Sequence, residues 1–308
     1  MKQLKGEGKM IEVKDLTKSF QNHIALKGVN LRVQAGSIYG LVGANGAGKT
    51  TLIKHLTGIY KHDSGEVLIK GEKVFENSNV KNQIGYIPDE LYYFPMYSIK
   101  NMASFYRKMY PNWNEERYKN ILQAFELDEN KRIGRLSKGM QKQVAFILTL
   151  STMPSVMILD EPIDGLDPLM RKKVWKYVVE DVAERDVSVL VSSHNLKELE
   201  SICDHVGILD KGEMLIERDL DDLKSDVHKI QVVYKEEIID ILSKDINILH
   251  QENRGSVQLF IVKGQRQEII SKFNRYNPTI LDVLPLTLEE IFIYELGGVG
   301  YEIKNIIF

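Results

Sequence analysis

Gly43-Ala44-Asn45-Gly46-Ala47-Gly48-Lys49-Thr50 lies between an apolar β-type run, Ser37–Val42, and a helical stretch, Lys49–Gly58. The octet fits G-x-x-x-x-G-K-[ST], the strand-loop-helix turn that cradles phosphates. Glycines let successive backbone N–H groups curl inward as a nest, where a Cβ would obstruct them. The helix that starts there aims its free N–H groups and positive dipole end at the same point. Lys49 then reaches the β- and γ-phosphates, and the Thr50 hydroxyl is placed to ligate Mg2+. The nucleotide-binding stretch is therefore read as Gly43, Ala44, Asn45, Gly46, Ala47, Gly48, Lys49, Thr50 and Thr51.

Working outward, short β-rich runs alternate with helical stretches over the first 220 or so residues. The runs are Ser37–Val42, Glu66–Lys70, Ile84–Ile87, Val156–Asp160 and Val187–Ser192, with helical spacing over Ile99–Tyr110, Glu115–Leu127 and Leu169–Glu184. Such alternation predicts an α/β fold around a mainly parallel sheet. Met10–Lys14 and Val29–Val33 suggest an antiparallel element beside it, and Tyr97 to Leu150 reads as a helical insertion. A hairpin follows, Val206–Leu209 and Met214–Glu217, turning at Asp210-Lys211-Gly212.

Beyond residue 225 the character changes. The segments His228–Tyr234, Glu236–Ser243, Ile246–His250, Ser256–Val262, Gln265–Tyr276 and Thr279–Leu284 read as β-α-β-β-α-β, the order of a ferredoxin-like unit. Two domains are expected: 1–225, with the insertion at about 97–150, and a small α+β domain at 226–308. Gly297-Gly298-Val299-Gly300 is expected to end the last helix.

The 308 residues carry 41 Lys+Arg against 43 Asp+Glu and are 43% hydrophobic, an ordinary globular composition. The near-zero balance weighs against a dedicated nucleic-acid binder, which shows a basic excess. One thiol, Cys203, cannot form an internal disulfide. The opening MKQLKGEGKMIEVK lacks an apolar core, so no secretory signal is expected, and no apolar run approaches the ~20 residues of a membrane span. A cytoplasmic location is the expectation.

A second acidic motif closes the strand Val156–Asp160, where Asp160-Glu161-Pro162 stands at a carboxyl edge, the edge at which open α/β sheets bind ligands. Asp160 would hold Mg2+, and Glu161 would orient and deprotonate an attacking water.

The stretches between decide the kind of nucleotide protein. Leu136-Ser137-Lys138-Gly139-Met140-Gln141 opens a helix, with Ser137 23 residues before Asp160, and resembles the LSGGQ signature of ATP-binding cassette (ABC) ATPases. Asp164-Gly165-Leu166-Asp167-Pro168 resembles the family's D-loop, and Ser192-Ser193-His194 its switch histidine. Ile84-Gly85-Tyr86-Ile87-Pro88-Asp89-Glu90 occupies the Q-loop place, and Phe20, 23 residues before Gly43, the place of the aromatic that stacks on adenine. In the family's order, these motifs span residues 20–194.

The resemblance implies an ATPase subunit of an ABC transporter, with ATP and Mg2+ as its cofactors. It implies that Ser137 and Gly139 bind in trans the γ-phosphate held by a second cassette, in a homodimer or heterodimer. His194 would contact the γ-phosphate, and Asp89 would serve the metal beside Thr50 and Asp160. A membrane permease in a separate chain would complete the transporter, with Leu91-Tyr92-Tyr93-Phe94-Pro95-Met96-Tyr97 either receiving a permease helix or packing on the insertion. Three departures stand out: Asp89 for the usual Gln, Lys138 and Met140 for Gly and Gln, and Ile163-Asp164 for Thr-Ser. An SKGM signature with a PDE Q-loop resembles ABC-2-like exporter cassettes of Gram-positive bacteria. The competing readings are a soluble ABC ATPase acting on translation or DNA, and a non-hydrolytic ATP switch.

Overall fold

The computed structural model describes residues 8–234 and 245–297. Its contacts divide into two units: residues 1–194 with 205–217, and residues 195–204 with 218–308.

In chain order the first unit carries β1 (Lys9–Phe20), β2 (His23–Gln34), β3 (Ile38–Val42), β4 (Ser64–Ile69), β5 (Glu72–Lys73), β6 (Ile84–Ile87), β7 (Val156–Asp160), β8 (Ser188–Ser193), β9 (His205–Asp210) and β10 (Glu213–Asp219). Six of them form the sheet β10-β9-β3-β8-β7-β6. β3 pairs in parallel with β8 and β9, and β7 in parallel with β6 and β8. Every residue of β3, β7 and β8 is buried, as expected of parallel strands covered on both faces. β9 and β10 join through Lys211 and Gly212, both at positive φ, as a two-residue hairpin turn requires.

The antiparallel element forms a second sheet, β2-β1-β4-β5. Val13 faces Leu31 and Leu16 faces Val29 across β1 and β2. The run Glu66–Lys70 belongs here and not to the parallel sheet. Register with β1 sets Ile69 opposite Ile11 and Val67 opposite Val13, burying all four in one core.

The insertion is helical as expected, with helices Ile99–Met109, Glu115–Ala124 and Lys138–Ser151. Ser98 starts the first through a reciprocal capping box with Asn101. Asn114 caps the second and Ser137 the third, each side chain accepting a backbone N–H three residues on. From Lys142 to Ser151 every residue of the third helix is buried. Among the described residues no helix is long and apolar enough to cross a membrane.

The second unit contains β11 (Val227–Val233), β12 (Asn247–Arg254), β13 (Val257–Lys263) and β14 (Ile280–Leu284), in the antiparallel order β12-β13-β11-β14. That is the strand order of a ferredoxin-like unit, with helix Arg266–Asn274 between its third and fourth strands. The helix expected over Glu236–Ser243 lies outside the described residues, as do Gly298-Val299-Gly300, and the last described helix runs over Leu288–Gly297.

One sheet face carries Ile230, Val232, Phe260 and Val262, packed with Ile269 and Phe273. The alternate residue Lys229 faces the other way and pairs with Glu290 of helix Leu288–Gly297 at 2.6 Å. Residues 195–204 belong to this unit. Helix Leu196–Leu199 lies against helix Leu288–Gly297, with Lys197 Nζ 3.1 Å from Glu289 Oε2. Leu196, Leu199, Leu288, Ile291 and Phe292 are all buried. By its contacts the chain divides after Glu217, and the second unit also takes a segment from before β9. Its apolar leucines explain that assignment. Phe273 is fully buried with its ring 5.4 Å from Phe260. Phe273→Ala is expected to cost about 3–5 kcal/mol, read by far-UV dichroism during urea unfolding of the full chain. A loss below about 1 kcal/mol would contradict this packing.

Candidate active site

The phosphate loop leaves β3 and enters helix Lys49–Leu56 with Gly48 at φ +110°. A side chain on Gly43 would overlap the Leu209 carbonyl, and one on Gly48 would lie 2.9 Å from the Ala25 carbonyl oxygen. Glycine is required at both for the loop to close this tightly. Lys49 is 5% exposed. Its ammonium donates to the Gly43 carbonyl at 2.6 Å and the Ala44 carbonyl at 3.4 Å.

A cleft of about 330 Å³ opens over this loop. Ala44, Asn45, Gly46, Gly48, Lys49, Thr50 and Thr51 line its floor. Asp89 and Glu161 close one part, and Phe20, His23 and Ala25 another. Phe20 is 40% exposed and braced edge-on by Tyr60 at 5.4 Å. Gly43 and the buried Ala47 are not among the lining residues. Ser137 and Gly139 are not among the lining residues. They start helix Lys138–Ser151, where the Ser137 hydroxyl accepts from the Met140 N–H at 3.3 Å.

The strand-end acids occupy different surroundings. Asp160 is 1% exposed, and its Oδ1 accepts from the Ser192 hydroxyl at 2.6 Å. Its Oδ2 is buried without a hydrogen-bond partner. Glu161 extends to Lys49, with Oε1 3.3 Å from the ammonium. Its Oε2 accepts from the His194 backbone N–H at 3.3 Å and lies 3.0 Å from His194 Nδ1. Glu161, Asp164 and His194 form a cluster whose ligand atoms fall within 4.8 Å of one another.

Glu161 has φ +44°, a left-handed conformation costing a non-glycine residue about 1–3 kcal/mol. Both adjoining peptide groups are held. The Glu161 N–H donates to Ser192 Oγ at 3.1 Å, and the Glu161 carbonyl accepts from Lys142 Nζ at 2.6 Å. Lys142 Nζ also lies 3.9 Å from Asp89 Oδ1. Burial pushes the Lys142 ammonium pKa down against the pull of Asp164, Asp89, Glu161 and Asp160. Burial raises the Asp89 carboxyl, an effect Lys142 opposes and Asp160 reinforces. Tyr86 is pushed up to about 12, by burial first and then by Asp160 and Asp89. Four acids thus face two lysines, and a buried carboxylate oxygen has no partner. This is a donor set suited to a hard divalent cation.

Sequence reading did not single out Lys142, Ser192 or Asp164 as neighbours of Glu161. Asp164 and Ser192 stood inside quoted motifs but carried no role there. Lys142 belongs to no motif, and only its buried place in the helix after the signature turn could have marked it.

A phosphate loop on a buried parallel strand, facing a strand-end acid pair and a histidine from the next strand, defines a P-loop nucleoside triphosphatase. The profile described as ABC transporter matches residues 26–164. The ABC transporter ATP-binding protein YtrB of Bacillus subtilis is 32% identical over 289 residues, covering 94% of this chain and 99% of that protein. The bacitracin transport ATP-binding protein BcrA of Bacillus licheniformis is 31% identical, covering 94% of this chain and 98% of that protein. A solved structure of the ATP binding subunit of an ABC transporter superposes with a TM-score of 0.66 at 29% identity, over 70% of this chain and 92% of that one. The chain belongs to the ATP-binding subunits of ABC transporters, a family that binds and hydrolyses ATP and whose members pair and work with a membrane permease.

Proposed function

We propose that this chain drives an exporter from the cytoplasmic face of the membrane, pairing with a second cassette and docking on a permease encoded in a separate chain. The observation that carries the hydrolytic part is the Glu161 carboxylate seated between Lys49 and His194 at the mouth of the phosphate loop. In this reading Phe20 stacks on adenine, and the loop amides with Lys49 hold the β- and γ-phosphates and stabilise the charge that develops there. Glu161 takes a proton from the water whose oxygen attacks the γ-phosphorus in line, and the bond to the β–γ bridging oxygen breaks to give ADP and phosphate. His194 holds the γ-phosphate and the water. Ser137 and Gly139 complete the site of the facing cassette, so ATP becomes part of the interface and its hydrolysis loosens the pair. Thr50, Asp160 and Asp89 would hold Mg2+, which when bound neutralises phosphate charge. The orphaned Asp160 Oδ2 fits that use.

The permease reading is supported by the loop after β6. Tyr92 is 83% exposed and Met96 65%, an unusual display of large apolar groups. Part of the loop packs inward, with the Tyr93 hydroxyl donating to the Gln141 carbonyl and the Phe94 ring 5.8 Å from Phe105. The exposed part suits an amphipathic partner helix with aromatic and Met anchors. The name of the bacitracin transport relative favours a membrane partner, and the outward direction rests on the signature and Q-loop resemblance. The test is purification of the full chain in mild detergent. A polytopic membrane protein is expected to accompany it, whereas ribosomes or DNA in its place would overturn the reading. A phosphate-release assay separates hydrolysis from a non-hydrolytic switch.

A further inference from the structure

Glu161 has an uncommon backbone for the task assigned to it. Its φ is +44°, and the following Pro162 biases its predecessor toward extended geometry. A side chain at such a position points correctly only while the flanking peptides are held. Ser192 holds one, accepting the Glu161 N–H at 3.1 Å while donating to Asp160 at 2.6 Å. Lys142 holds the other, with its ammonium 2.6 Å from the Glu161 carbonyl oxygen.

Lys142 is only 7% exposed and is not among the residues lining the nucleotide cleft. A lysine is costly to bury, and Lys142 opens the run of helix Lys138–Ser151 that is buried throughout, from Lys142 to Ser151. Its ammonium reaches one carbonyl and stands 3.9 Å from the Asp89 carboxylate, in the Q-loop. The same cation therefore lies beside the acid that replaces the family's glutamine.

We propose that Lys142 is a positioning residue for hydrolysis, locking the Glu161 peptide so that its carboxylate faces Lys49 and His194 while balancing the Asp89 charge. The proposal rests on the reading of Glu161 as the base. Lys142 touches neither nucleotide nor water in this scheme, so its removal changes the rate of the chemical step and not the affinity for ATP. Methionine has similar length and volume but cannot donate to the carbonyl.

The experiment compares Lys142→Met, Lys142→Arg, Glu161→Gln and the double variant Lys142→Met/Glu161→Gln in the full chain. For each, phosphate release, ATP affinity and melting temperature are measured. Lys142→Met is expected to lose about 10- to 100-fold in kcat, in line with small misplacements of a reacting group, with KM and the Kd for ATP held within about twofold. Lys142→Arg, which keeps charge and donors, recovers most of that rate. In the Glu161→Gln background Lys142→Met has no further effect, because there is no base left to misplace. A Lys142→Met protein turning over at wild-type rate beside a dead Glu161→Gln overturns this proposal alone. So does a rate loss that tracks a fall in ATP affinity or melting temperature in both Lys142 variants. A Glu161→Gln protein at wild-type rate overturns the reading beneath it.

Discussion

Glu161→Gln is expected to bind ATP within about twofold of the native chain while kcat falls by about 10²- to 10⁴-fold, the usual contribution of a positioned general base. The substitution keeps size and shape. It leaves one oxygen to accept the His194 N–H, now 3.3 Å from Oε2. It removes the charge that faces Lys49 at 3.3 Å and any capacity to take a proton. Lys49 and the loop amides stay in place, so the phosphates still have their donors. With binding intact and turnover lost, the ATP-bound pair should persist, visible in size-exclusion chromatography as a dimer that forms with ATP and Mg2+. A variant releasing phosphate at the native rate would remove Glu161 from its role.

Lys49→Met should give the opposite signature, a loss of binding. The ammonium is buried, held by the Gly43 carbonyl at 2.6 Å, and aimed into the cleft that Lys49 itself lines. Hydrogen bonds to charged groups contribute about 1.5–3 kcal/mol each. Two such contacts to phosphate oxygens are worth about 3–6 kcal/mol, or roughly 10²- to 10⁴-fold in Kd. Calorimetric titration with ATP reads this directly. Retained affinity would mean that the loop amides alone carry phosphate recognition. The two variants thus separate capture of the nucleotide from its cleavage.

The parts legible in the sequence were those in which neighbouring residues determine geometry. The loop Gly43–Thr50 announces itself because glycine spacing, lysine and helix start are all local. The strands Ile84–Ile87 and Val156–Asp160 appear with the expected limits because their side chains are buried throughout or nearly so. Ser137 at the start of its helix is likewise a local capping pattern. Partner choice was harder to read. Glu66–Lys70 looks like any short strand, and only its register with Ile11 and Val13 assigns it to the antiparallel sheet. The clamp around Glu161 draws on Lys142 and Ser192, 19 residues before it and 31 after. No periodicity encodes such a meeting. The packing of Leu196 and Leu199 is equally hidden, since they bury themselves beside residues about 90 positions away, a contact without a local trace.

That last packing bears on how the protein can be cut or grafted. The backbone passes from one unit to the other after His194, returns before His205 and leaves again after Glu217. A chain ended at Glu217 would keep Leu196 and Leu199 but lose helix Leu288–Gly297, against which they lie. Sticky leucines would then be bared two residues beyond the histidine of the active site. The C-terminal unit is consequently not a removable bead on a string. A cassette shortened for crystallisation or fused to another tail must either carry replacements at Leu196 and Leu199 or retain that helix.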